Sequence, residues 1–100
     1  MSKVKHIALI KFKDGTAEEQ INKLFDDLLD LSENVEGIED YVSGPNTSPE
    51  GKSNGYTHGF IMTFADATAR DNYLAHAEHQ KFQENAATVV DAVAVCDFEV

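Results

Sequence analysis

Gly55-Tyr56-Thr57-His58-Gly59-Phe60-Ile61-Met62-Thr63-Phe64-Ala65 decides how this chain is built. Read as a strand, it places Tyr56, His58, Phe60, Met62 and Phe64 on one face. Thr57, Gly59, Ile61 and Thr63 share the other face. The bulky face suits helices, which stand about 10 Å off a sheet and need volume to fill the gap. The small face suits the close approach of a second sheet. Residues 3–13 repeat the division: Val4, His6, Ala8, Ile10 and Phe12 point one way, and Lys3, Lys5, Ile7, Leu9 and Lys11 the other. Both faces are apolar at mid-strand, so both are expected to be covered.

Between these strands, Asp14-Gly15 ends the first, and Thr16 and Glu19 have the spacing of a capping box. Ile21, Leu24, Phe25, Leu28, Leu31 and Val35 follow at helical spacing, predicting a helix over 16–34 that stops near Gly37. Residues 38–43 read as a short second strand, and 44–54, with Pro45, Pro49 and Gly51, as a loop. Asp66 can cap a second helix carrying Ala69, Tyr73, Leu74 and His76. A further helical piece over 79–90 turns Phe82, Ala86, Val89 and Val90 inward, and 93–99 is the last strand. The order βαββαβ predicts an α+β, ferredoxin-like fold: a four-stranded antiparallel sheet with two helices on one face. Its other face would carry Ile7, Leu9 and Ile61 into water, which predicts a homodimer packed through the open sheet face.

One hundred residues, 42% hydrophobic, are expected to form one domain over 1–100 with a modest core. No run of about 18 apolar residues offers a membrane span. The N-terminus reads as a strand rather than a signal, so a cytoplasmic location is expected. A formal charge of −10, with no basic cluster, argues against nucleic acid and anionic membranes as partners. The acids of the first helix read as a solvated face. Cys96, the one cysteine, lies among Val93, Ala94, Val95 and Phe98 and is expected to be a buried thiol.

His6, His58, Tyr73, His76 and His79 carry what chemistry the chain offers, because imidazole and phenol groups exchange protons near neutral pH. His6, His58, Tyr73 and His79 are expected around one cavity. A neutral His79 can act as a base, and Tyr73 can donate to a developing oxyanion. In an unbroken helix these two side chains lie about 120° apart, so the pairing requires a break near 76–79. His76-x-x-His79 beside Glu78 has metal-ligand spacing but lacks further ligands, so no metal is expected.

Val4-Lys5-His6, Lys11-Phe12-Lys13-Asp14, Gly55-Tyr56-Thr57-His58, Thr63-Phe64, Tyr73 with His76 and His79, and Asp97-Phe98 together resemble the stress-responsive dimeric α/β-barrel family almost end to end. The resemblance implies a ferredoxin-like unit dimerised into a barrel. Family members include plant stress-associated proteins and a polyketide cyclase, which implies cofactor-free, aldol-type ring closure. Tyr73 and His79 match that cyclase's tyrosine and histidine, and His6 and His58 its pocket histidines. His76-Ala77-Glu78-His79 departs from its His-Pro-Ala-His, and Leu28 replaces a tyrosine on its first helix. The expected function is binding of a small organic molecule between sheet and helices, without cofactor or established catalysis. Its expected lining is His6, His58, Phe25, Leu28, Phe60 and His76. The alternative is a cofactor-free cyclase-like enzyme with His79 as base and Tyr73 as donor. A cofactor-free monooxygenase is a second alternative, by fold analogy.

Overall fold

Alternation along the strands and 3.6-residue periodicity along the helices sort the side chains onto opposite sides of one sheet. The computed structural model describes residues 2–100. Its elements are β1 (Val4–Phe12), α1 (Glu18–Asn34), β2 (Ile38–Pro45), β3 (His58–Phe64), α2 (Ala67–Ala75), α3 (Ala77–Ala86) and β4 (Val90–Glu99). The sheet order is β2-β3-β1-β4, with every pair antiparallel. This is the ferredoxin-like arrangement, with three helices rather than two because the second is broken.

Val4, Ala8 and Ile10 of β1 and Phe60, Met62 and Phe64 of β3 are buried with Leu24, Leu28 and Leu31 of α1 and Tyr73 of α2 in one core. On the reverse face, Leu9, Val42, Ile61 and Phe98 remain exposed. Register places Ile7 opposite both Ile61 and Cys96 on that reverse face. Cys96 is therefore exposed, not buried as expected. Its apolar neighbours in sequence belong partly to the opposite face, and strand alternation separates them from it.

Three boundaries differ from expectation for local reasons. β3 begins at His58 rather than Gly55, because Asn54 (φ 54°) and Gly55 (φ 87°) are left-handed and the Tyr56 N–H turns back to the Ser53 carbonyl. Tyr56 thus leaves the helix-side face, and the Lys11 ammonium lies 5.1 Å from its ring centroid. The start of α1 does not use the Thr16–Glu19 box. The Thr16 hydroxyl donates to the Lys13 carbonyl, and Gln20 Oε1 accepts the Ala17 N–H at 3.0 Å. At the far end, α3 stops at Ala86, and Val90 joins β4 opposite Phe12 across an irregularity in register.

Asp66 caps α2 as expected, its Oδ1 accepting the Ala69 N–H at 2.8 Å. Gly37 joins α1 to β2 at φ 91°, where a methyl group would stand 2.6 Å from the Ala69 side chain. Glycine is needed there both for the left-handed turn and for the closeness of α2.

Candidate functional site

Tyr73 and His79 meet because the helix between them is broken. His76 is extended (φ −68°, ψ 139°); it ends α2 and begins α3. No proline enforces this. His76 Nδ1 accepts the Glu78 N–H at 3.0 Å, satisfying a donor that the new helix start leaves free. The change of axis brings the Tyr73 and His79 rings to 4.4 Å between centroids, inclined at 45°.

Both groups are buried, Tyr73 to 1% and His79 to 8% exposure. His79 Nδ1 lies 3.2 Å from the Leu74 carbonyl. A carbonyl only accepts, so this bond fixes the hydrogen on Nδ1 and leaves Nε2 as the lone-pair nitrogen. Burial pushes the His79 pKa below the ordinary imidazole value, the Leu74 bond opposes that, and His6 adds to it. Burial, then nearby Tyr41, holds the Tyr73 phenol well above its usual value. The pair is thus a neutral imidazole base beside a phenol that stays protonated: a proton acceptor next to a hydrogen-bond donor.

A cavity of about 460 Å³ opens beside them. Ala8, Ile10 and Phe60 form its floor, Tyr73, His79, Phe82 and Ala86 its helical wall, and Val93 and Val95 its outer side. Val93 and Val95, 54% and 56% exposed, sit on edge strand β4. Behind Tyr73, the His6 ring packs edge-on at 6.3 Å between centroids. Its Nδ1–H donates to Asp97 Oδ1 at 2.7 Å, and Arg70 Nη1 donates to the other carboxylate oxygen at 2.9 Å.

Residues 4–100 match the family described as the Stress responsive A/B Barrel Domain. The chain belongs to the stress-responsive A/B barrel family. It is 34% identical over 96 residues to the stress-response A/B barrel domain-containing protein HS1 of Arabidopsis thaliana, covering 96% of this chain and 88% of that one. It is 26% identical to olivetolic acid cyclase of Cannabis sativa, over 95% of this chain and 94% of the cyclase. A dimeric ferredoxin-like protein from Jannaschia sp. CCS1 superposes with a TM-score of 0.86 at 28% identity, covering 98% and 99% of the two chains.

Within this A/B barrel, Phe60, Tyr73 and His79 border the cavity, whereas His6 lies behind its wall against Phe60 and Tyr73 rather than in the expected lining. His58 does not join them. It pairs with Ile10, four residues along β1 from His6, roughly 13 Å away at strand rise. It packs instead against Phe12 and Phe25, and Thr57 Oγ1 lies 2.8 Å from its Nδ1. It borders a separate groove of about 480 Å³ under the 45–56 loop. Phe25 goes with His58; Leu28 is fully buried in the core; His76 is an exposed cap. Among the described residues no three His, Cys, Asp or Glu side chains gather as metal ligands would.

Sequence reading missed Tyr41, Asp97 and Arg70. Tyr41 faces Phe60 at 6.0 Å, and its hydroxyl is buried without a hydrogen-bond partner among the described residues. The alternation of β2 held that signal: Tyr41 pairs with Met62, which lies on the bulky face. Asp97 entered the reading only within the closing Asp97-Phe98, and nothing marked its contacts with His6 and Arg70, which join residues 91 and 27 positions apart.

Proposed function

We propose that this A/B barrel protein binds a small, largely apolar organic molecule bearing a carbonyl or hydroxyl group in the cavity beside Tyr73 and His79. The observation that carries the reading is the apolar hollow of about 460 Å³ with one phenol and one neutral imidazole in its wall. That volume lies within the range of small-molecule sites, and few polar groups in an apolar lining is their usual make-up. The test is ligand-induced shift of the backbone NMR spectrum with a panel of alkyl β-diketones and alkylphenols. Binding should map to Ala8, Phe60, Phe82 and Val93 and be lost in Ala86→Trp, which fills the cavity. Shifts confined to the His58 groove would overturn it.

A second reading, cofactor-free ring closure, is favoured by the tautomer and protonation states of the pair. His79 Nε2 would take a proton from a carbon between two carbonyls. The carbanion would form a carbon–carbon bond to a distant carbonyl carbon, whose oxygen becomes an alkoxide held by the Tyr73 hydroxyl. The His79 imidazolium would then return its proton to that oxygen, leaving the protein unchanged. The cyclase relative supports a trial of linear β-polyketide thioesters. His79→Ala and Tyr73→Phe rates equal to the parent's would remove this reading for those substrates.

The exposed apolar sheet face and the dimeric form of the Jannaschia protein support a homodimer. Among the described residues no helix is long and apolar enough to cross a membrane, and an exposed free thiol accords with a reducing cytoplasm.

A further inference from the structure

We propose that Asp97 and Arg70 are positioning residues that set Tyr73 against His79; this rests on the proposed site around that pair. Arg70 and Tyr73 are three residues apart on α2 and so lie along one side of it. Arg70 Nη1 reaches Asp97 Oδ2 at 2.9 Å, while Asp97 Oδ1 accepts the His6 Nδ1–H at 2.7 Å. One carboxylate on β4 thus holds the helix above it and the ring that abuts Tyr73. Arg70 Nε also donates to Asp71, but that contact is exposed and stays within α2.

The clamp matters because α2 buries a single side chain fully. It spans nine residues, of which Tyr73 alone is buried, while the small Ala67 and Ala69 pack partly buried against the core. A phenol oxygen stands farther from the helix axis than its Cα, so a small rotation of α2 is magnified at the hydroxyl. Partly buried ion pairs contribute little net stability once desolvation is counted. What this network supplies is geometry: the seat of α2 on β4, and the orientation of the His6 ring. The acceptor-only carboxylate holds the hydrogen on Nδ1 and so fixes how that ring stands against Tyr73.

Two variants test it: Arg70→Met, which keeps the side-chain stem, and Asp97→Asn, which turns an amide donor on Arg70 or His6. In isotope-labelled protein without ligand, the ring-to-ring nuclear Overhauser effect between Tyr73 and His79 should fall by about half or more in both, while the β1–β3 ladder signals stay as in the parent. Arg70→Lys should restore it. With a linear β-triketone carried as its N-acetylcysteamine thioester, kcat should fall on the order of 10- to 100-fold with KM within about twofold. An unchanged Overhauser effect in folded Arg70→Met overturns the proposal whatever Asp97→Asn does. If the parent gives no turnover, or His79→Ala matches it, the catalytic reading fails, and the Overhauser measurement still decides the positioning role.

Discussion

With Nδ1 of His79 engaged by Leu74, its titration falls on Nε2, the nitrogen that the proposed ring closure would use as base. Because the folded pKa is depressed, base activity should hold through neutrality and fall as pH drops through a value below the ordinary imidazole figure of about 6.5. The same shift has a stability sign. Between the two pKa values the unfolded chain binds a proton that the folded chain refuses, so stability is lost as pH falls below about 6.5. Urea unfolding at about pH 7.5 and about pH 5.5 should show that loss, and His79→Gln should lessen it; an unchanged slope counts against a buried neutral His79. Tyr73→Phe should leave the fold intact and weaken carbonyl-bearing ligands by about 3- to 10-fold, for one hydrogen bond of about 1 kcal/mol. Residue types alone pointed to His79 and Tyr73, since few groups here titrate usefully. They did not separate His58 from the others, because the face a strand residue occupies says nothing of its position along the strand. Nor did they reveal the His6–Asp97–Arg70 contacts, which only sheet register brings together.

The break at His76 is the element on which the site turns. Ala77 occupies the first position of α3, its N–H has no backbone partner among the described residues, and His76 already has the extended conformation that precedes a proline. Ala77→Pro should therefore be neutral or stabilising by about 0.4–1 kcal/mol in thermal or urea unfolding. A loss of several kcal/mol would show that α2 and α3 run through as one helix. Asp66→Ala should cost about 1 kcal/mol by removing the cap of α2. Gly37→Ala should cost roughly 1–2 kcal/mol for the left-handed backbone alone, and more because its methyl meets Ala69. The strands, α1 and the Asp66 cap were legible because each carries a periodic or capping pattern. The Thr16 box failed because Gln20, one residue farther on, serves the helix start. The start of β3 failed because left-handed Asn54 and Gly55 leave no mark in the hydrophobic pattern.

At the scale of the molecule, a bundle of helices covers one side of the sheet, and the other side waits for a cover. The sheet's two characters were readable in the contrast between Phe60, Met62 and Phe64 and the smaller residues between them. Leu9→Asp and Ile61→Asp should convert a sedimenting dimer into a monomer and lower its stability together; a parent that is monomeric and folded at micromolar concentration defeats the expectation. Cys96 stands on that same side. If two subunits close over it, its sulfur is reachable only while they are apart. The rate at which a bulky maleimide marks this lone thiol, followed by mass spectrometry as the protein is diluted, then becomes a clock for subunit separation that needs no engineered label.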